Sequence, residues 1–344
     1  MTSLLGPTYA LQIGSQLWKE QALHMQLTLG PAPLIDVLTV KLPATAPLDA
    51  ELGDDVELTL NSGEAEEKVF TGMVQSIGRG FSYIEVKAIN AGGVLAQYYP
   101  AVTYENVTTA TVVRNLCSDA NVSTASLETG AELAFYVADM TRTAWQHIHR
   151  LCAWCGALVS VSADNEVQSV VVNATQADVA LRYGREIVSL GRTRSATRIE
   201  TFVVAGESGV GSVSSPDAHR PVTDFFAGNR PDDPSPTVTW TWSPALRTTT
   251  SAAMAGAARK RNYSSAADRG VCTAFLQPQL RPGVVLEMQD LPAGLTDGPV
   301  WIYAVRHTLS HRGALTRVEY FKGGDSFDPL ALLGSLAGAI GGLL

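Results

Sequence analysis

The sequence is poor in cysteine and in charged residues. Its 344 residues include only 4 cysteines, too few for a disulfide framework, so synthesis and folding in a reducing cytosol are expected. Charged residues make up 17% of the chain, whereas ordinary soluble proteins contain roughly 25%. This deficit fits a protein whose surface is partly covered by neighbouring subunits.

Positive charge and long apolar runs are also scarce. The 25 basic residues are outnumbered by 33 acidic ones, which argues against a general binder of the nucleic-acid backbone. The N-terminus lacks the basic and apolar regions of a secretory signal. The longest apolar run, 330–344, is shorter than the roughly 20 residues that cross a bilayer as a helix. We therefore predict no stable membrane span and no specific nucleic-acid partner.

Motifs of catalysis are missing as well. The sequence contains no GxSxG and no HExxH, and its adjacent acidic pairs, such as Asp54 with Asp55, lie in segments with loop composition. The Gly-rich stretch 206–212 lacks the lysine of a phosphate-binding loop, and Pro216 follows where the helix would have to begin. We therefore predict no catalytic residue, no cofactor, no metal and no enzymatic activity.

One segment, HIHRLCAWCG at 147–156, is a candidate for metal or redox chemistry. Helical periodicity puts Cys152 and Cys155 on the apolar stripe of a helix, where a free thiol behaves as a small hydrophobic group. His147 and His149 are two positions apart, so their side chains leave a helix on opposite sides and cannot bind one ion. Core cysteines are the favoured interpretation.

The hydrophobic periodicity is typical of an α+β chain. Alternating apolar residues predict strands in the first hundred residues and again in 283–321. Apolar residues three and four apart predict helices at 108–116, 143–155 and 250–267. The predicted regions are a first β-barrel unit at 1–97, a mixed α/β middle domain at 98–188, a second β-barrel unit at 189–322 with a loop insertion at 206–236 and the 250–267 helix, and an apolar tail at 323–344.

The second β unit resembles the first in its pattern of glycine and apolar residues. The offset between matched positions changes by only one residue from strand to strand, which predicts two copies of one β-barrel unit. The matched positions are Gly53 with Gly283, Val56 with Leu286, Leu58 with Met288, Val69 with Val300, Phe70 with Trp301, Val74 with Val305, Val86 with Val318 and, at the hairpin turn, Gly80 with Gly313.

Two segments are candidate interfaces. Five arginines fall between Arg182 and Arg198, and they form a solvated or salt-bridged strand surface, an intersubunit contact, or a lining that faces a polymer in a channel. In the tail, a glycine every four residues lets helices approach closely. An exposed apolar tail favours packing on its own copies or on a partner, with membrane insertion as the alternative. The candidate interface residues are Arg192, Arg194, Arg198, Leu333, Gly334, Gly338 and Gly342.

The order of motifs along the chain resembles a known family. The motifs run FTGMV, TYENVTTATVVRNLC, TAWQHIHRLCAWCGALV, LRYGREIVSL, LRPGVVLEM and VRHTLSHRGALTRVEYF. Together they resemble the tail-hub proteins of contractile phages, the late control protein D family, and the hub portion of type VI secretion spikes and of extracellular contractile injection particles. The matching residues are Trp145, Leu151, Leu181, Tyr183, Gly184, Pro282, Gly283, His307 and Gly313.

This resemblance implies a non-enzymatic, pseudo-sixfold homotrimer. Three subunits with two barrel units each would present six similar surfaces and join a threefold central spike to a sixfold tail tube. The implied partners are the central spike protein, the tail tube initiator protein and the baseplate wedge proteins. The tape-measure protein is a further candidate, through the apolar tail. The expected location is the tail baseplate of a virion or an injection particle, assembled in the bacterial cytoplasm.

Three alternatives stay open. Within the same class, the chain could be the hub of a non-contractile phage tail. A peptidoglycan-cleaving tail enzyme would need a cluster of carboxylates or a nucleophile that the sequence does not present. A membrane-interacting injection protein would act through the apolar tail.

Overall fold

The computed structural model describes residues 6–171, 176–196, 201–207, 221–223, 238–292, 295 and 298–322. These residues form an α+β fold in which strands predominate. None of the helices in this part of the chain is long and apolar enough to cross a membrane. The predicted tail at 323–344 and most of the predicted insertion at 206–236 lie outside the described residues.

The first β unit consists of seven strands. Their apolar residues alternate with polar ones, as in β4, where Leu38, Val40 and Leu42 are buried and the residues between them are half-exposed. The strands are β1 (Thr8–Ile13), β2 (Gln16–Trp18), β3 (His24–Leu29), β4 (Val37–Pro43), β5 (Asp55–Asn61), β6 (Glu66–Arg79) and β7 (Tyr83–Ile89).

The middle region has its own core between short sheets and helices. Its helix α3 begins at a capping box, in which the Thr143 hydroxyl accepts from the Gln146 amide and the Gln146 side chain accepts from Thr143. Trp145 fills this core, and its indole N–H donates to the Leu34 carbonyl at 2.9 Å. The elements are α1 (Ala91–Leu95), β8 (Val102–Thr108), α2 (Thr109–Asp119), β9 (Thr124–Leu127), β10 (Glu132–Ala138), α3 (Ala144–Trp154), β11 (Leu158–Val161) and β12 (Val167–Val170).

The remaining elements include the second β unit and a small separate sheet. The small sheet has the order β16-β15-β17, and α4 packs on it through Ala255, which shares a small apolar cluster with Val204 of β15 and with Leu246 from the segment before α4. The helix predicted at 250–267 is confirmed as α4. The elements are β13 (Val179–Arg182), β14 (Ile187–Arg194), β15 (Thr201–Glu207), β16 (Pro221–Thr223), β17 (Val238–Trp242), α4 (Thr249–Ala266), β18 (Asp268–Phe275), β19 (Val285–Gln289), β20 (Val300–Ser310) and β21 (Gly313–Lys322).

The two β units have the same strand order. The first unit reads β3-β4-β7-β6-β5-β1, and the second reads β14-β18-β21-β20-β19-β13. The match extends to backbone hydrogen bonds. Gly53, just before β5, donates to Val74 in β6, and Gly283, just before β19, donates to Ile302 in β20. One difference is that β1 runs antiparallel to β5 whereas β13 runs parallel to β19. An internal repeat of the β unit is therefore present.

The units are not two closed barrels. Strands β3 and β20 pair with each other, so both units belong to one 13-stranded sheet with one apolar core. Within the described residues its path runs from β14 to β2 without closing on itself. The predicted pair of separate barrels is corrected accordingly. Strand β13, which falls in the range predicted for the middle domain, pairs with β19 in this large sheet.

The predicted alignment of the repeat is wrong in one strand. Val305 pairs with Val318, and the residue that pairs with Val86 is Ile77, so Val305 takes the place of Ile77 and not of Val74. A bulge confirms this register, since it falls after Val74 in β6 and after Ile302 in β20. The cause is a longer second hairpin, whose extra residues the pattern of apolar residues does not reveal.

Candidate functional site

The junction between the two units is an antiparallel pairing of β3 with β20. Val305 lies opposite Leu29, Arg306 opposite Thr28, and His307 opposite Leu27, and the pairing continues to Ser310. Val305, His307, Leu27 and Leu29 are buried in the common core. Arg306 and Thr28 point to the other face of the sheet, because side chains alternate along a strand.

His307 is the one imidazole buried in this junction. Its Nδ1 is 2.9 Å from the Thr316 hydroxyl, which also accepts from the Gln277 amide. Burial, with a smaller contribution from the nearby Arg281 guanidinium, lowers the pKa of His307 to about 3. The imidazole is therefore neutral in the folded protein, and its place in the core is structural.

The repeat identifies a second pair of edges that have no partner in the described residues. In the alignment of the two units, β14 of the second unit is equivalent to β3 of the first. Residues 77–79, at the end of β6, are equivalent to 305–307 in β20. In the described part of the chain β14 pairs with β18 and, at its first residue Ile187 alone, with Tyr183, and 77–79 pairs only with β7. Open edges of this kind are ready to accept another strand. The exposed residues along them are Gly78, Arg79, Val188, Ser189, Gly191, Thr193 and Arg194.

Two of the predicted interface residues lie on the β14 edge. The Arg192 side chain is only 6% exposed and donates two hydrogen bonds to Asp268, at 2.8 and 2.6 Å. Arg194 is 67% exposed and approaches the same carboxylate at 3.3 Å. The hydrogen bond from Arg192 lowers the pKa of Asp268. Arg192 therefore fixes the end of β14 within its own chain, while Arg194 is accessible to a neighbour.

The other predicted interface residues, Arg198, Leu333, Gly334, Gly338 and Gly342, lie outside the described residues. The open edges were not predicted from the sequence. The internal repeat is the feature that predicts these edges, but only when the two units are aligned by the register of their paired strands and not by the spacing of apolar residues.

A buried carboxylate connects the first unit to the middle region. Asp36 accepts from the Gly30 amide at 2.8 Å and from the Asn90 side chain at 2.7 Å. Asn90 in turn caps α1, where the middle region begins. Burial raises the pKa of Asp36 to about 7, although both hydrogen bonds and the Arg281 charge oppose the rise.

The segment 147–156 is part of the middle core. Cys152 and Cys155 are buried, which confirms their interpretation as core residues, and burial raises the pKa of Cys152. The His147 ring lies 2.7 Å from the Tyr136 hydroxyl and 3.0 Å from the Asp139 carbonyl, so the fold occupies both of its nitrogens. Across the described residues no group of three His, Cys, Asp or Glu side chains could hold a metal ion.

One cleft of about 430 Å³ lies between the first unit and the middle region. Its lining contains no carboxylate, imidazole, thiol or amine that could serve as a nucleophile or a general base. The lining residues are Met73, Ile89, Val94, Gln97, Tyr98 and Ala120.

No family model and no curated protein matches this sequence. Among solved structures, the chain is similar to a tail protein from Neisseria meningitidis MC58, with a TM-score of 0.69 and 12% identity over 92% of this chain and 96% of that one. It is similar to the 43 kDa tail protein of prophage MuSo2 from Shewanella oneidensis, with a TM-score of 0.66 and 15% identity over 92% and 98% of the two chains.

A third similar structure is the E. coli c3393 protein, a component of the type VI secretion system that is itself described as similar to the T4 bacteriophage tail proteins gp27 and gp5. Its TM-score is 0.62 at 10% identity, over 92% of this chain and 77% of that one. The chain therefore has the fold of phage tail proteins and of this secretion component. The resemblance is confirmed at the level of the fold, and membership of one sequence family stays a prediction.

Proposed function

We propose that this chain is a structural hub of a phage tail or a related injection apparatus. Three copies form a ring that joins a threefold central spike to the sixfold tail tube, and the ring carries out no catalysis. The observation that carries this proposal is the β3–β20 junction, because the repeat supplies the same two edges a second time and no described strand pairs with them.

The register of the internal junction predicts the register between subunits. By equivalence, β14 of one copy pairs with the end of β6 in the next copy. Arg194 then lies opposite Ile77, Thr193 opposite Gly78, and Arg192 opposite Arg79. Such a contact is head-to-tail, so repeating it closes a ring when the rotation per unit divides the circle. Three copies of two units give the six near-equivalent positions that a sixfold tube requires.

A disulfide cross-link tests this register directly. The Gly78→Cys/Thr193→Cys variant places one thiol on each open edge, at positions equivalent to the paired Arg306 and Thr28. The site at Gly78 has room, since the nearest atom to an added Cβ is 3.9 Å away. The four native cysteines are buried and do not compete. Mild oxidation should give covalent dimers and trimers on a non-reducing gel.

Two variants serve as controls for the cross-link. Thr28→Cys/Arg306→Cys should form the same bond within one chain and leave the covalent mass unchanged. Gly78→Cys/Ser189→Cys moves one thiol four residues along β14, about 13 Å at the usual rise of a strand, and should not cross-link. A solution mass of one chain, or cross-linking of the shifted pair as readily as the matched pair, would contradict the proposed ring.

The partners follow from the symmetry of the proposed ring. We assign the central spike protein to its threefold side and the tail tube initiator protein to its sixfold side, with the baseplate wedge proteins around it. Co-expression with an adjacent spike gene, followed by measurement of the mass of the complex, tests the first assignment. A cleared zone on a cell-wall zymogram would instead support a peptidoglycan hydrolase and contradict the non-enzymatic hub.

A further inference from the structure

The part of the large sheet that β4, β7, β18, β20 and β21 form carries an excess of positive charge on the face that points away from the core. Its side chains alternate with buried residues along β4, β7, β18, β20 and β21. The chain as a whole has a formal charge of −8, so the basic character is local. The charged residues on these five strands that point away from the core are Lys41, Lys87, Arg269, Arg306 and Arg317, together with Glu85 and Glu319.

Most of the uncompensated charge lies at one place on this face. Lys41 and Lys87 both form ion pairs with Glu85, at 3.7 and 3.3 Å. Arg306 and Arg317, by contrast, lie directly opposite each other on β20 and β21, and both are exposed. Neither guanidinium has a hydrogen-bond or carboxylate partner in the part of the chain that the structure describes. Like charges directly opposite each other in an antiparallel pair are destabilising, so an anion between them would relieve a cost that the fold bears.

The neighbours of this arginine pair are hydrogen-bond donors. Thr28 lies opposite Arg306 on β3, and Thr273 lies opposite Arg317 on β18. The four side chains therefore form a row across four adjacent strands, about 14 Å long at the usual spacing of strands. Arginine and threonine are among the residues that contact phosphate oxygens in nucleic-acid complexes, and such contacts carry no sequence information.

We propose that this row, which we call the arginine row (Thr28, Arg306, Arg317 and Thr273), binds the phosphate backbone of a nucleic-acid duplex without sequence preference. The affinity of the arginine row for phosphate does not depend on the proposed ring.

Binding of a labelled 30-base-pair duplex of mixed sequence, followed by fluorescence anisotropy from 25 to 200 mM NaCl, tests the arginine row. Relative to the unaltered chain, Arg306→Gln/Arg317→Gln should lower the slope of log affinity against log salt by about 1.8, since each phosphate contact contributes roughly 0.9. The control Arg114→Gln/Arg259→Gln removes two exposed arginines from the helices and should leave the slope unchanged.

Each outcome decides the proposal. No binding at 25 mM salt, or an equal loss in both variants, would overturn it. Stronger binding of polyglutamate than of the duplex would also overturn it and would identify an acidic protein segment as the occupant. The mass of the chain is measured by light scattering in the same samples. A monomer that binds DNA through the arginine row would support this inference while contradicting the ring, and a trimer indifferent to DNA would do the reverse.

Discussion

Acidification should destabilise this protein through His307. The imidazole is fully buried, and its pKa is lowered to about 3 in the folded chain, whereas the unfolded chain has the ordinary value of about 6.5. Between these values the unfolded state binds more protons than the folded state. Stability is therefore complete above pH 6.5 and is lost as the pH falls toward 3.

The size of this loss follows from the difference in pKa. At pH 5 the solution is 1.5 units below the unfolded value, and each unit corresponds to 1.36 kcal/mol, so His307 alone should cost about 2 kcal/mol relative to pH 8. Because the imidazole is fully buried, solvent does not screen this cost.

Asp36 acts in the opposite direction. Its pKa is raised to about 7 in the folded chain, so the folded state binds more protons than the unfolded state between about 3.9 and 7. Acidification from pH 8 to pH 5 should therefore stabilise the protein through Asp36 by about 2.5 kcal/mol. The two buried groups nearly cancel, and their effects separate only when one of them is removed.

The assay is the free energy of unfolding in urea at pH 5 and pH 8, at one protein concentration, for the unaltered chain and for His307→Asn. Asparagine keeps an amide near the Thr316 hydroxyl but does not titrate. The change in stability from pH 8 to pH 5 should be about 2 kcal/mol more favourable in this variant, whatever the other histidines contribute. His311→Asn, at the exposed turn of the same hairpin, controls for the loss of a histidine. An identical pH dependence in His307→Asn and the unaltered chain would refute the reasoning.

Two further predictions concern the strands at the β14 edge. Gly270→Ala should destabilise the chain by about 2 kcal/mol in thermal unfolding, because the added Cβ would collide with the Tyr320 ring. The control Gly191→Ala, whose Cβ would meet no atom within 4 Å, should be nearly neutral in the same assay. Equal effects of the two substitutions would contradict this packing. Asp268→Asn should cost about 2 kcal/mol, since it leaves the buried Arg192 guanidinium without its carboxylate. A melting temperature within error of the unaltered chain would contradict that pairing.

The fold class and the internal repeat could be predicted from the sequence because both are recorded in local patterns. Alternation of apolar residues marks the strands, and α3 is marked by Thr143, Gln146 and an apolar stripe. The pairing of β3 with β20 could not be predicted, since β3 has the same alternation whether its neighbour belongs to its own unit or to the other one. The alignment of β6 with β20 was predicted in the wrong register for a related reason. Val74 and Ile77 are both apolar, so the pattern does not show which of them is equivalent to Val305.

The candidate site illustrates the same limit. An arginine-rich segment is visible in the sequence, but the separation of Arg192 from Arg194 is not. The alternation of β14 does not show that Asp268 lies beside both residues and that only Arg192 is enclosed. Likewise, the opposition of Arg306 and Arg317 depends on the hairpin register. Charged residues in a sequence indicate positions at the surface of the fold. The partners of each charged side chain depend on which strands are adjacent, and the sequence pattern does not show this.

The two kinds of junction in the proposed ring differ in length, and this difference explains how one sheet can serve two symmetries. Within a chain, β20 pairs with β3 over six residue pairs, from Val305 to Ser310. Between chains, β6 offers only 77–79 before its hairpin turns. Long junctions within chains would alternate with short junctions between chains around the proposed ring. The order of strands would then repeat six times, whereas the set of contacts would repeat three times. The longer junction keeps the two units of each chain together, so the shorter one is where the ring should open first when it dissociates.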